Sequence, residues 1–342
     1  VNHVFAVFAV TANHRHDNPF MRRRANNQAF GCGAFQRLDQ LRPHGSESLV
    51  IESVQSALVK HTDVAASPPG LLDALPHIVI EQPCATKFVA KARLCHPGLT
   101  PLVVGDTADR AAVDRLLAEH GIETVMHFAA HTIVPESVSN PLKYYGNNTC
   151  ATRNLLECCD RAGVKHVVFS STAAVYGIPS EGVAREESPT VPINPYGLSK
   201  LMSEWMLRDL AAASALRYVA LRYFNVAGSD PGGRIGHTAP NATLLVKVAC
   251  QQAVGVRPSI SIFGTDYPTP DGTGVRDYIH VEDLAAAHLK ALDYLRAGGD
   301  STTLNCGYGH GYSVRDVLQM VERVNGGQAL NVVLGPRRAG DP

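Results

Sequence analysis

From about Pro101 onward, short apolar runs alternate with longer helical segments, and this alternation admits few folds. The runs "PLVVGD", "TVMHFAA", "HVVFSSTAAVYG" and "YVALRYFNVAG" predict strands, and the segments between them predict helices. Two of these helices should end at glycines, Gly121 and Gly163, as helices commonly do. Strands that alternate with helices of this length indicate an α/β fold with a parallel sheet and helices on both faces.

The first 98 residues have a different character. They contain "HRHDNPFMRRRANNQ" and isolated apolar pieces, but no clean strand–turn–helix pattern joins them. We therefore divide the chain into an atypical region, residues 1–98, and an α/β body, residues 99–342.

Composition narrows the class of partner. Among 342 residues, 31 are Lys or Arg and 31 are Asp or Glu, so nothing favours nucleic acid or an anionic membrane surface. No apolar run approaches the roughly 18 residues of a membrane span. The scattered cysteines include no C-x-x-C pair, which predicts reduced thiols and a cytoplasmic location. His14 and His16 lack a carboxylate or cysteine cluster, so we expect no metal.

The segment "NPYGLSK" places a tyrosine and a lysine one helical turn apart. Positions i and i+4 share a helix face, so Tyr196 and Lys200 can point into one site. A nearby ammonium should lower the tyrosine pKa and make Tyr196 a general acid or base. Thr172 follows a predicted strand, at the edge of a parallel sheet where ligands gather. A surface tyrosine with a solvated lysine is the alternative for this motif alone.

Further segments extend the pattern. In order, they are "HFAAHTIVPESVSNPLKYYGNN", "VVFSSTAAVYG", "NPYGLSK", "LRYFNVAG", "IFGTDYPTPDGTGVRDYIHVEDLA" and "PRRAGDP". Over roughly residues 99–342 the chain resembles the extended short-chain dehydrogenase/reductase superfamily and, within it, the UDP-glucose 4-epimerases. The resemblance implies a Rossmann-like doubly wound sheet with a smaller C-terminal α/β region that binds substrate.

The resemblance also implies a reaction. Bound NAD would take hydride from C4 of UDP-glucose or UDP-galactose while Tyr196 takes the C4 hydroxyl proton, and the 4-keto sugar would turn over before hydride returns. Lys200 would hold the nicotinamide ribose, and Thr172 would orient the hydroxyl. The net reaction would be an isomerisation in galactose metabolism.

Positions that match the family's motifs carry its binding residues over. The NAD site would comprise Asp106, Thr107, Phe128, Ala129, Ala130, His131, Thr132, Asn147, Ser170, Ser171, Tyr196, Lys200 and Phe224. The UDP-sugar site would comprise Thr172, Tyr196, Asn225, Asn241, Thr243, Leu244, Ser261, Ile262, Phe263, Arg276, Arg338 and Asp341. Many family members have lysine where this chain has Thr132, which removes one expected phosphate contact. A homodimer formed through segments 141–162 and 195–214 is also implied.

The chain departs from the family at both ends. The expected G-x-x-G-x-x-G turn is missing, and "FGCGAF" supplies only Gly31 and Gly33, so the first βαβ unit is not recognisable. Residues 1–98 are either a wrong reading frame or a divergent segment, and the abrupt start of the likeness near Leu99 favours the former. At Pro342 the family continues with further substrate residues, so we expect acceptance of N-acetylated sugars to be decided beyond this point.

Three other functions compete. A nucleotide-sugar 4,6-dehydratase needs an acid directly after the strand-end threonine, but Ala173 and Ala174 follow Thr172. Another nucleotide-sugar epimerase or decarboxylase would carry a different segment from "YPTPDGTGVRDYIHV". An inactive fragment is the non-enzymatic alternative, because the glycine-rich NAD loop is missing.

Overall fold

The computed structural model describes residues 5–8, 78–81, 102–231, 236–237 and 243–341. Its strands are β1 (Phe5–Phe8), β2 (Ile78–Glu81), β3 (Leu102–Val104), β4 (Thr124–His127), β5 (His166–Ser170), β6 (Arg217–Tyr223), β7 (Asn225–Ala227), β8 (Ile260–Phe263), β9 (Val275–His280), β10 (Thr302–Cys306), β11 (Gly311–Ser313) and β12 (Val332–Gly335). Its α-helices are α1 (Arg110–Glu119), α2 (Val134–Ser139), α3 (Pro141–Tyr144), α4 (Ala151–Ala162), α5 (Pro195–Ala213), α6 (Leu245–Ala253), α7 (Val281–Arg296) and α8 (Val314–Val324).

The main sheet has the order β10-β6-β5-β4, and all of its strand pairs are parallel. Parallel neighbours need crossover connections, which α4 and α5 supply between β4, β5 and β6. The carboxyl ends of these strands therefore lie at one edge, where a parallel sheet forms its ligand site.

Helices cover both faces of this sheet. On one face Val167 and Phe169 pack with Leu155 of α4 and Leu207 of α5. On the other face the intervening Val168 packs with residues of α7. Both faces of the strands are thus buried in apolar cores, which explains their continuous apolar sequences. The predicted doubly wound α/β fold is confirmed.

A smaller α/β region follows the main sheet. β7 pairs with β9 in parallel, β9 pairs with β11 antiparallel, and β8 pairs with β12 in parallel. Helices α6 and α8 pack over a shared core that includes Ile260, Ile262, Val246 and Val321. This region places the later motifs beside the main sheet, because β7 starts directly after β6.

The first part of the chain contributes a separate sheet. β2 pairs antiparallel with β1 and parallel with β3. Gly31, Gly33 and most of residues 1–98 lie outside the described residues. The question whether that region is a wrong reading frame or a divergent segment therefore falls there too. Strand β2 nevertheless lies within that region.

Two elements differ from the simplest reading of their sequences. "YVALRYFNVAG" predicts one strand, but it divides at Phe224 into β6 and β7, which belong to different sheets. The predicted long helix before Gly163 contains a π-helical turn, Tyr145–Cys150, between α3 and α4. Gly163 itself closes α4 with a φ of 70°. Among the described residues, we find no helix with the length and apolarity that crossing a membrane requires.

Candidate active site

Helix α5 begins at the edge where the parallel strands end. Asn194 caps it, since its side-chain oxygen accepts from the backbone N–H of Gly197 at 2.8 Å. Pro195 occupies the first turn, where a missing N–H costs nothing. Tyr196 follows immediately and is buried. The cap therefore determines where Tyr196 enters the site.

Tyr196 and Thr172 meet as predicted. Their side chains share a hydrogen bond that lowers the pKa of the Tyr196 phenol, but burial and the nearby Tyr223 outweigh it and raise that pKa above its usual range. The net shift of the Tyr196 pKa is therefore opposite in direction to the lowering expected from Lys200. Desolvation of a buried phenol disfavours its charged form more than its surroundings favour it.

Lys200 lies one turn further along α5 and is also buried. Its ammonium donates to the backbone carbonyl of Ser170 at 2.7 Å and lies 4.7 Å from the ring centroid of Phe169. Burial lowers the pKa of Lys200 to about 7, and Glu204 opposes that shift. An ammonium has three donors, so this one retains N–H groups that can bind the hydroxyls of a ligand.

The predicted residues Phe128 and Ser170 share a neighbour that sequence reasoning missed. Nε2 of His288 lies 2.9 Å from the hydroxyl of Ser170, and the His288 ring stacks at a tilt on Phe128, 4.7 Å between centroids. Burial lowers the pKa of His288 to about 4, so the ring is neutral near pH 7. His288 sits in "LAAAHLKAL", and nothing in that pattern separates it from an ordinary core position.

The loop after β4 is hydrogen-bonded to Asn148, a residue of the π-helical turn. Asn148 accepts from the backbone N–H of His131 at 2.8 Å and donates to its carbonyl at 3.0 Å. Asn147 donates to the Asn148 oxygen at 3.1 Å. Ala129 and Ala130 are buried, whereas Thr132 is exposed. The predicted cofactor stretch is thus shaped by Asn148, which the motif did not single out.

Asp106 and Thr107 lie directly after β3. The Asp106 carboxylate accepts from the backbone N–H of Ala108 at 2.9 Å, and Thr107 is buried. Asp106 also acts electrostatically on His131, raising its pKa against a larger lowering by burial. Asp106 is therefore near enough to the loop after β4 to act on His131, and its place beside the adenine stays a prediction.

Several predicted substrate residues gather in the smaller region. The Arg338 guanidinium stacks on the Phe263 ring, 5.0 Å from its centroid, and its Nε donates to Asp341 at 2.8 Å. Arg276 and Arg338 both lower the pKa of Tyr278, although burial dominates and raises it to about 12. Tyr278, which sequence reasoning did not name, thus lies near both arginines.

The remaining predicted substrate residues differ in their exposure, and not all of them can contact a ligand. Ile262 is 2% exposed and packs in the core, so its side chain cannot flank a ligand, whereas Ser261 and Phe263 alternate to the opposite side of β8. Thr243 and Leu244 are exposed at the start of α6. Asn241 lies outside the described residues. Asn225 opens β7, and Phe224 lies beside Gly307 at the β6–β7 junction.

The described residues contain no group of three or more His, Cys, Asp or Glu side chains arranged to hold a metal ion. The candidate site therefore consists of two hydroxyls, an ammonium and an arginine-rich subsite. Two hydroxyls in contact can pass a proton to or from a third hydroxyl. Arginines beside an aromatic ring suit a nucleotide diphosphate.

Comparisons with known proteins show which family the chain matches. Residues 75–307 match the NAD dependent epimerase/dehydratase family, so the match begins ahead of residue 99. The chain is 58% identical to UDP-glucose 4-epimerase of Azospirillum brasilense, over 80% of this chain and 77% of that protein. The crystal structure of UDP-glucose 4-epimerase from Brucella ovis in complex with NAD aligns with a TM-score of 0.67 and 43% identity, over 71% of this chain and 75% of that one. The enzyme from Bifidobacterium longum, in complex with NAD+ and UDP, aligns with a TM-score of 0.72 and 36% identity, over 85% and 84%.

Proposed function

The chain belongs to the NAD dependent epimerase/dehydratase family, and we propose that it is a 4-epimerase that interconverts UDP-glucose and UDP-galactose. The observation that carries the proposal is the Thr172–Tyr196 hydroxyl pair beside the buried Lys200. Inverting a secondary alcohol carbon requires its hydroxyl to lose and regain a proton. These side chains form the group that can move it.

Tyr196, as the phenolate, takes the proton from the C4 hydroxyl of the sugar, becomes the neutral phenol and later returns the proton. Thr172 already shares a hydrogen bond with the phenol, so it can orient the same hydroxyl. Because the free phenol holds its proton tightly, the reaction needs a positive charge nearby when the proton moves. The ammonium of Lys200, on the same face of α5, supplies that charge.

NAD is the cofactor, and when bound it supplies the hydride acceptor and donor for C4. The residues present fit its nicotinamide half. The buried Lys200 ammonium retains donors for ribose hydroxyls, and hydrogen bonds to Asn148 fix the loop after β4 that carries His131. Phe128 and Ser170, backed by His288, form the wall on which a nicotinamide ring would lie.

The smaller region would hold the UDP portion of the substrate. Phe263 offers an exposed ring for the uracil, and Arg338 already stacks on that ring. Arg276 approaches from β9 and would share the diphosphate with Arg338. Asp341, now paired with Arg338, would accept from a ribose hydroxyl.

We also propose a cytoplasmic homodimer acting in galactose metabolism. The segments 141–162 and 195–214 carry exposed apolar side chains, among them Leu142 and Trp205, which are 78% and 43% exposed. Two such helical segments suit a four-helix interface between copies. Light scattering on the purified chain tests the dimer, and a monomer over the micromolar range would refute it.

The first experiment is to purify the chain, release bound NAD and quantify it, then assay UDP-galactose turnover. We expect Tyr196→Phe to retain NAD and the fold but to lose about 10²–10⁴-fold in kcat, because a general acid or base contributes that much. Tyr218→Phe, at a buried tyrosine on β6 outside the site, is the matched control. Full turnover by Tyr196→Phe would refute the mechanism, and a wild-type chain without NAD would support an inactive fragment.

A further inference from the structure

Glu204 and Arg222 form an ion pair inside the fold, one helical turn beyond Lys200. Nη2 of Arg222 lies 2.6 Å from Oε2 of Glu204, and Nε lies 3.0 Å from Oε1, so the contact is bidentate. The Glu204 and Arg222 side chains are only 5% and 9% exposed. Burying two charges removes them from water at a cost that their attraction often only balances. A structural contribution alone therefore explains the pair poorly.

The pair connects the catalytic helix to the end of β5. The Ser171 hydroxyl donates to Oε1 of Glu204 in a short hydrogen bond, and Ser171 directly precedes Thr172. On the far side, Nη1 of Arg222 donates to the Tyr176 hydroxyl at 2.8 Å, and Tyr176 donates to Asn305 at 2.8 Å. One carboxylate thus reaches the strand end that carries Thr172.

The side chains and backbone groups that face Lys200 come from its own helix and from strands β4 and β5. On its own helix lie Tyr196 and, at i+4, Glu204. From β4, His127 faces Lys200, but burial lowers the His127 pKa to about 3, so that ring is neutral at working pH. From β5 come only the Phe169 ring and the Ser170 carbonyl. Glu204 is the anion that stabilises the ammonium of Lys200 against burial.

We propose that Glu204 is a positioning residue for this reaction: its carboxylate keeps Lys200 an ammonium ion inside the fold, and its hydrogen bond to Ser171 holds Thr172 against Tyr196. The ion pair with Arg222 fixes that carboxylate in place. Glu204 acts through Lys200 and Ser171. The catalytic consequence rests on the proposed epimerase function, whereas the charge state of Lys200 can be measured without any substrate.

The decisive measurement is the titration of Lys200 by nitrogen-15 NMR of lysine side chains, on the purified chain with NAD. Lys200→Met assigns the resonance by its disappearance. In Glu204→Gln we expect the pKa of Lys200 to fall by about one pH unit or more, because a nearby opposite charge shifts the pKa of a buried group by about that amount. Asp209→Asn, which removes an exposed carboxylate from the same helix, should leave the pKa unchanged.

Glu204→Gln leaves Arg222 charged, buried and without its carboxylate, so this variant can fail to fold. The double variant Glu204→Gln/Arg222→Met removes both charges and avoids that failure. Its Lys200 pKa should also fall, but by less than in Glu204→Gln, because the loss of the Arg222 cation offsets part of the loss of the anion. Glu204→Asp retains the negative charge, so the pKa of Lys200 in this variant should lie close to its wild-type value.

Turnover of UDP-galactose supplies the second measurement. If Lys200 must be an ammonium, kcat falls as pH rises through its pKa, so the high-pH limb should move to lower pH in the double variant, with KM little changed. A fold defect alone would lower kcat equally at every pH. The proposal is overturned if Lys200 titrates at the same pH in the wild type and the double variant. A shifted titration in a chain without turnover would support the charge assignment and refute the epimerase function instead.

Discussion

The side-chain amide of Asn148 makes hydrogen bonds in three directions. It clamps both backbone groups of His131, and it donates to the hydroxyl of Ser199 on α5 at 3.0 Å. Ser199 lies between the two reactive residues of that helix. One buried amide therefore ties the predicted cofactor loop to the helix that carries Tyr196 and Lys200.

Replacing Asn148 with alanine should lower the free energy of unfolding by about 2–3 kcal/mol, because it leaves buried backbone groups of His131 without partners. Urea denaturation measures this loss. Asn331→Ala provides a matched control, since the exposed Asn331 side chain donates to the carbonyl of Pro258 and substitution leaves the Asn331 backbone in place. We expect that control to change stability by less than about 0.5 kcal/mol. Equal unfolding midpoints for the two variants would contradict the clamp.

Helix α5 approaches the 3-10 turn Ala173–Tyr176 closely enough to require a glycine. A Cβ at Gly197 would lie 2.5 Å from the carbonyl oxygen of Ala174, a backbone atom that cannot move without shifting the turn after Thr172. The spacing between Thr172 and Tyr196 thus depends on the absence of one methyl group.

Gly197→Ala should therefore lower kcat and stability, although alanine is the better helix former by about 1 kcal/mol. The expected loss is about 1–3 kcal/mol of unfolding free energy, as for overpacking. Gly146→Ala is the control, because a Cβ at Gly146 meets no atom within 4 Å. Thermal melts and UDP-galactose assays of both variants decide the matter. A stabilised and fully active Gly197→Ala would show that the contact is not tight.

Local patterns predicted most elements because each boundary has a local cause. Gly163 closes α4 in the left-handed region, and Asn194 caps α5. The division of "YVALRYFNVAG" could not be predicted, since both halves are apolar and extended. They differ only in their partners, β10 for β6 and β9 for β7. Only the tertiary arrangement separates them.

The same distinction holds within the site. Tyr196 and Lys200 could be predicted as a pair because i and i+4 share a helix face. Glu204 stands at the next i+4 position, but a helical carboxylate usually lies in solvent. Its burial depends on Arg222 of β6 and Ser171 of β5, which the sequence separates from it. The i+4 spacing from Lys200 to Glu204 can be read from the sequence, but only the folded sheet shows that this carboxylate is buried against Arg222 and Ser171.

At the scale of the whole molecule, two buried histidines lie on opposite faces of the main sheet. His127 packs near Phe169, 5.6 Å between ring centroids, and donates to or accepts from Thr152 at 2.8 Å. His288 lies on the other face, against Phe128. Burial lowers their pKa values to about 3 and about 4.

The protein should lose stability as pH falls below about 6.5. In that range the unfolded chain binds protons at these histidines and the folded chain does not, so acid favours unfolding until pH approaches 4. Between about pH 7.5 and about pH 5, His288 alone should contribute about 2 kcal/mol of this loss. Urea unfolding at about pH 7.5 and about pH 5 should show a smaller loss in His288→Gln. His310→Gln, at an exposed histidine, should behave as wild type. If His288→Gln lost as much stability between the two pH values as the wild type, His288 would not be the cause of the acid destabilisation.

The side-chain amide of Asn194 has a second partner, the backbone carbonyl of Gly340, at 3.0 Å and 146 positions later in the chain. Ribosomes add about 5–20 residues per second, so roughly 7–30 seconds pass between the synthesis of these two residues. During that interval the nascent chain can wind α5 and present Tyr196, but the turn that covers its first residues does not yet exist. The hydrogen bond between Asn194 at the start of α5 and Gly340 can therefore form only near the end of synthesis of this segment.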